Sequence, residues 1–200
     1  MRGGDVSRGR PREFDRTDAL NSAMKVFWQK GYTATSMSDL YAAMGIKSPS
    51  LYAAFGSKED LYEEVLQHYE KCVAPLIWGG MESEPSTKRA VAQWLERSAD
   101  ALTRCDMPHG CMVTLSAVAS EGNDRLGRRV RDLRSSGINL LKARLTQAQA
   151  AGDLPAETDI EALTRLYVSI QQGMSIQARD GASRETLLSV ARMAMALWPA

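Results

Sequence analysis

Five side chains in the sequence have the chemistry to hold a metal ion or to react as thiols: Cys72, Cys105, Cys111, His68 and His109. Their spacing argues against a metal. Three scattered cysteines make no disulfide framework, and neither histidine lies near a Cys-x-x-Cys pair, so no zinc site is expected. Aspartate, serine and histidine are present without a nucleophile motif or a phosphate-binding glycine loop, so the sequence predicts neither an enzyme nor a cofactor. The remaining concentration of chemistry is charge. Arg2, Arg8, Arg10 and Arg12 stand against one acid, Asp5, in the first twelve residues. Such a run is either a solvated tail or an arm that seeks phosphate. Residues 1–60 hold nine Lys/Arg and seven Asp/Glu, the rest sixteen and seventeen, so the net +1 comes from an amino-terminal bias.

These residues need elements to position them. Apolar residues make up 44% of the 200, enough for a core in one large domain or two small ones. No run of about 18 apolar residues exists to span a membrane. The basic N-terminus lacks the apolar segment of a secretory signal, which leaves the cytoplasm as the expected compartment. The periodicity is helical throughout, and an all-α fold of about nine helices is expected. From 15 to 30, Ala19, Leu20, Ala23, Met24, Phe27 and Trp28 form one face, and Gly31 ends it. Ser36 and Asp39 read as a capping box for a helix over 36–44 that Gly45 stops. Ser48 is the expected N-cap of a third helix, with Pro49 at its first position, where a missing N–H costs nothing. Leu51 and Phe55 share its inner face and Gly56 ends it; Ser57 with Asp60 then opens a helix carrying Leu61, Tyr62, Val65, Leu66, Tyr69 and Val73. Two short helices joined by a tight Gly-Ile turn make a helix-turn-helix.

Past the break at Pro75 and residues 79–86, further helices are expected over 87–103, 111–119 (short and apolar) and 124–151, where Gly137 weakens the middle. Thr158 with Glu161 looks like another capping box, for a helix to 177, and Ser183 begins a last one reaching Trp198.

The stretch GYTATSMSDLYAAMGIKSPSLYAAFGSKEDLYEEVL resembles the DNA-binding domain of the TetR family of bacterial transcriptional regulators. The match is ordered: Gly-Tyr, Thr-Ser before an acid, a Gly-Ile turn, Leu-Tyr, then Ser-Lys-Glu-Asp-Leu, over roughly residues 15–66. Beyond it, only helix order and a short GCMVTLSA patch fit. The resemblance implies a basic arm (1–14), a helix-turn-helix domain (15–60) and a helical effector and dimerisation domain (61–200), with helix 61–74 joining them. It implies a repressor that binds a pseudo-palindromic double-stranded operator as a homodimer and leaves it when a small molecule, or a redox signal, arrives. The alternative is a helical interaction scaffold that binds no DNA.

The resemblance also implies roles. The third helix would enter the major groove amino end first. Tyr52 and Lys58 would meet phosphates, as would Thr35 and Ser36 ahead of the second helix. Ser38, Lys47, Ser48 and Pro49 would face base edges, with Ser50 at the same end. Ala53 and Ala54 depart from the family's bulkier choices and can touch only thymine methyls. Arg8, Arg10 and Arg12 would then supplement a thin readout from a minor groove.

In the second half, Ile160, Leu163, Leu166 and Ile170 are expected to face the core, and Leu187, Ala191, Ala194 and Trp198 a partner subunit; the other possibility is that all of them belong to one monomeric core. Trp94, Met112, Leu115, Tyr167, Gln171 and Met174 either line an effector pocket or are core residues. Cys111, beside His109 at an expected helix start, resembles the electrophile-sensing cysteine of some family members; equally, it could be a small buried hydrophobe.

Overall fold

The Asp15 carboxylate accepts the backbone amides of Thr17 and Asp18 at 2.8 and 3.0 Å, and the chain turns helical directly after it. The computed structural model describes residues 14–199, so Arg8, Arg10 and Arg12 lie outside the described residues. Among those described, every element is helical: α1 (Arg16–Lys30), α2 (Met37–Met44), α3 (Ser48–Phe55), α4 (Lys58–Cys72), α5 (Ala74–Trp78), α6 (Thr87–Leu102), α7 (Asp124–Ala150), α8 (Ile160–Arg179) and α9 (Arg184–Met195).

Nine helices were expected, but not these nine. Pro75 starts α5 near its amino end rather than ending a helix, for the reason that applies to Pro49. Residues 111–119, expected as a helix, form tight turns instead. That segment is held from outside: the Arg134 guanidinium donates to the carbonyls of Val113, Thr114 and Ser116 at 3.0, 3.0 and 2.7 Å, which takes acceptors that a helix would use internally. The N-cap of α8 is Asp159, accepting from the Ala162 amide, and not Thr158. α7 runs unbroken through Gly137. A Cβ there would lie 2.7 Å from the Trp78 ring, so the glycine lets an indole lie directly on the helix backbone.

The amino-terminal helices close over Leu40, Met44, Ile46, Leu51 and Phe55, all buried. Gly45 takes a left-handed φ of 66°, which aims α3 across α2. Capping boxes form at Ser36 with Asp39 and at Ser57 with Asp60, while the one expected at Thr158 with Glu161 does not. α4 packs on α1 and carries Leu61, Tyr62, Val65, Leu66 and Tyr69 inward, joining the amino-terminal core to that of α5–α9. At that junction Arg125 of α7 pairs with Asp60 at 2.9 Å and with Glu63.

The expected partner-facing stripe of α9 is turned the other way. Leu187, Ala191 and Ala194 are buried within one protomer, where α9 packs on α6. The two alanines permit that close approach, and the next stripe round is the exposed one. Met193 is 73% and Leu197 56% exposed. Trp198 lies beyond the end of α9, half-buried with its ring 6.0 Å from Tyr167. On α8, Leu163 is buried, but Leu166 is exposed, contrary to expectation. No helix among the described residues is long and apolar enough to cross a membrane.

Candidate DNA-binding surface and ligand cavity

The amino end of α3 is the free end of the amino-terminal unit. Lys47, Pro49, Ser50 and Tyr52 are exposed there, with Ser38 and Ser36 exposed beside them on and before α2. Tyr52 is 50% exposed although Leu51 and Phe55 are buried on the opposite face, so its ring is not a core ring. The N-cap differs from the expected one. Lys47 holds that position with no side-chain cap, Ser48 is the first helical residue, and the Ser48 hydroxyl accepts from the Tyr41 phenol at 3.0 Å. Tyr41, which no sequence motif marks, thereby ties α2 to α3. With no capping side chain in the way, the amino end of α3 points partial positive charge outward.

Two expected contacts start from other positions. Thr35 is only 1% exposed and its hydroxyl donates to the Gly31 carbonyl at 2.6 Å, so its side chain is part of the α1–α2 turn and not of the outer surface. The Lys58 ammonium lies 4.5 Å from the centre of the Tyr32 ring, and burial lowers its pKa, so reaching a phosphate means leaving that ring. Ser36 is exposed, but its hydroxyl is engaged in the capping box, accepting from the Asp39 amide and donating to the Asp39 carboxylate. Lys30 pairs with that carboxylate at 2.7 Å.

Behind this unit, α4 to α8 surround a cavity of about 400 Å³. Trp94, Cys111 and Gln171 line it, as expected. Met112 and Leu115 do not; they border a smaller crevice of about 290 Å³ between the end of α1 and the 112–117 turns. Tyr167 and Met174 line neither cavity and are fully buried core residues. Tyr69, Trp78 and Arg134 line the large cavity and were not anticipated; Arg134 is one of several arginines on α7, and nothing in the sequence marks it out. The Tyr69 phenol donates to Cys111 Sγ at 3.2 Å, and burial raises its pKa well above the ordinary range, so it stays protonated. Cys111 is not at a helix start, which removes the dipole part of the case for a reactive thiol; Thr114 N–H reaches its sulfur at 3.5 Å from one tight turn.

One face of α8 links cavity and surface. Gln171 lines the cavity, Ser175 accepts the Cys111 amide at 2.8 Å, and Arg179 donates to the carbonyls of His109, Trp28 and Gln29 at 2.8, 3.0 and 3.3 Å. The last two belong to the final turn of α1, where the helix leaves its carbonyls unpaired.

A capped helix-turn-helix with an open third-helix end, set on a larger helical body that holds a half-open cavity, has the architecture of a helix-turn-helix regulator. The family model "Bacterial regulatory proteins, tetR family" matches residues 19–65, and "Tetracyclin repressor-like, C-terminal domain" matches 87–194. The chain belongs to the TetR family and is a DNA-binding transcriptional regulator. It is 39% identical over 195 residues to the HTH-type transcriptional repressor ComR of Escherichia coli, covering 96% of this chain and 93% of ComR. It is 29% identical over 186 residues to the HTH-type transcriptional repressor BdcR of the same organism, covering 93% and 90%. A cysteine-substituted form of the TetR family regulator CifR, complexed with 26-bp double-strand operator DNA, matches with TM-score 0.88 at 39% identity, over 96% of this chain and 100% of that one.

Proposed function

We propose that this chain is a repressor that binds a pseudo-palindromic operator as a homodimer and is released when a small molecule enters the α4–α8 cavity. The observation that carries the reading is the continuous face of α8, which lines the cavity at Gln171 and holds the last turn of α1 through Arg179. In this reading residues 15–60 read DNA and 61–200 sense and dimerise. Lys47, Ser48, Pro49, Ser50, Ser38 and Tyr52 meet the duplex, with Ser36 and Lys58 at its backbone. The full-length relatives ComR and BdcR, both named repressors, support the sign of the regulation.

Leu166 and Ile176 of α8, with Met193 of α9 and Leu197 just past its end, form the partner surface in this proposal, because they are the exposed large apolar residues from α8 onward. Burying such residues against a second copy favours association. A Met193→Glu chain is expected to sediment as a monomer and to lose operator binding, while keeping its helical circular dichroism.

A binding experiment tests the central reading. Duplexes selected by the protein from a random pool should share two half-sites, and their retention should weaken as salt rises. No selected sequence, with the protein folded, would favour the helical scaffold instead.

A thiol-reactive effector is the second reading. It rests on Cys111 lining the cavity with its sulfur in contact with the Tyr69 phenol. Iodoacetamide should then release the protein from its operator, and Cys111→Ser should abolish that release. An unaltered release in Cys111→Ser would remove this reading and leave the reversible effector.

A further inference from the structure

We infer that Cys72 is a nucleophilic modification site, with His68 as its base, for small electron-poor alkenes such as α,β-unsaturated carbonyl compounds. Neither residue lines the α4–α8 cavity, so the site is separate from Cys111 and from any effector held there.

His68 and Cys72 stand four residues apart on α4 and therefore share a face. Cys72 is exposed, and its sulfur lies 3.8 Å from His68 Nδ1, within hydrogen-bond reach for sulfur. The ring is held from its other side, where His68 Nε2 lies 2.7 Å from Oδ1 of Asn21 on α1. A carbonyl oxygen only accepts, so Nε2 carries the hydrogen and Nδ1 keeps its lone pair for the thiol. Asn21 is 47 residues from His68 in the chain, on a helix that α4 packs against, so the fold and not the local sequence fixes the tautomer. Nucleophile, base and orienting group are thus in place.

Two effects meet at this end of α4. The carboxyl end of a helix carries partial negative charge, which disfavours a lone thiolate. The imidazolium made by the same proton transfer offsets this, because a cation is favoured there. The base in contact therefore decides, and it separates the two exposed cysteines. Cys105 is exposed on a loop, and among the described residues no imidazole lies within hydrogen-bond reach of its sulfur.

The reaction balances without a further reagent. Cys72 Sγ bonds the β-carbon of the alkene as its proton passes to His68 Nδ1. The π pair moves to the α-carbon, and the imidazolium returns the proton there. Nothing leaves and nothing is oxidised. The product is a thioether, so the site takes one molecule and does not turn over.

Timed labelling tests this. The full-length, reduced chain is treated at pH 7 with substoichiometric N-ethylmaleimide, quenched with excess dithiothreitol and mapped by peptide mass spectrometry. Cys72 should be labelled about tenfold faster than Cys105; a free thiol is only a few per cent thiolate at pH 7, which leaves room for that factor. Concentrated urea should equalise the two. His68→Gln should slow Cys72 to the rate of Cys105 and leave Cys105 unchanged, with circular dichroism reporting the fold. Asn21→Asp, which keeps an acceptor on Nε2, should preserve the fast labelling, and Asn21→Leu should lower it. Equal rates for Cys72 and Cys105 in the native wild type overturn the inference, as does fast labelling that survives His68→Gln or is lost in Asn21→Asp. Equal rates would leave His68 and Asn21 as an interhelical tie alone. No outcome of this experiment bears on operator binding or on the cavity.

Discussion

The guanidinium of Arg179 donates to the Trp28 carbonyl at 3.0 Å, and this bond joins the last turn of α8 to the last turn of α1, 151 residues away in the chain. The same side chain reaches Gln29 and His109. Arg179 therefore works as a C-cap for a helix in another part of the molecule. Burial lowers its pKa, but an arginine remains charged at any ordinary pH.

Removing this cap should loosen α1 selectively. Arg179→Met is expected to cost about 1 kcal/mol in urea unfolding, the low end for leaving one part-buried carbonyl, that of Trp28, unpaired. Backbone amides near the end of α1 should exchange faster, with α9 unchanged, in hydrogen-exchange mass spectrometry. Uniform loss of protection over the whole chain would mean that the contact is not a local strut.

The DNA contacts should separate by their salt dependence. Lys47→Ala is expected to lower the slope of log K against log salt by about 1, as one phosphate or base-edge cation is lost. Deleting residues 1–12 should flatten it by about 3, if Arg8, Arg10 and Arg12 each neutralise a phosphate. Titrations of the selected operator at several salt concentrations read both values. Thr35→Ser should change neither affinity nor slope, because that hydroxyl donates to Gly31.

At Gly137 two effects oppose each other. Alanine in a helix interior gains about 1 kcal/mol over glycine. Here its Cβ would be 2.7 Å from the Trp78 ring, which is itself held 4.8 Å from Trp94. Overpacking of this kind costs about 1–3 kcal/mol. The clash should win or draw, so Gly137→Ala is expected to leave stability equal or reduced by up to about 2 kcal/mol. The intrinsic tryptophan emission should shift as the indole moves. A clear gain in stability with unchanged emission would contradict the contact.

Asp39 gives a pH signature. Lys30, then the Ser36 amide and hydroxyl, hold its carboxyl down at about 2, below the ordinary 3.8. A carboxylate whose folded pKa is depressed stabilises the fold above its unfolded pKa and loses that contribution as pH falls through the folded one. The capped start of α2 should therefore weaken between about pH 4 and pH 2. Thermal melts of the wild type and Asp39→Asn followed by circular dichroism should converge as pH falls through that window. A constant gap between them would refute the linkage.

The elements were legible where local rules decide. The capping boxes at Ser36 and Ser57, and the buried stripe of α1, follow from side chains three or four positions apart. The failures came where distant atoms intervene. Residues 111–119 carry a helix-like composition, but Arg134 takes their carbonyls from a helix that starts later in the chain. On α9 two apolar stripes lie side by side, and only the position of α6 decides that Leu187, Ala191 and Ala194 turn inward while Met193 stays outside. Of the surface residues, the free end of α3 was foreseeable from Pro49 and Gly45. Thr35 was not, since its hydrogen bond to Gly31 depends on the shape of a turn. Arg179 and Tyr41 look like ordinary surface residues until the fold supplies their partners.

The phenol of Tyr41, fixed on the Ser48 hydroxyl, bolts the second helix to the third before any duplex is near. If α3 docks as proposed, this link leaves less chain entropy to lose on docking. Association should accordingly be paced by diffusion and by the attraction between opposite charges, not by a slow ordering step.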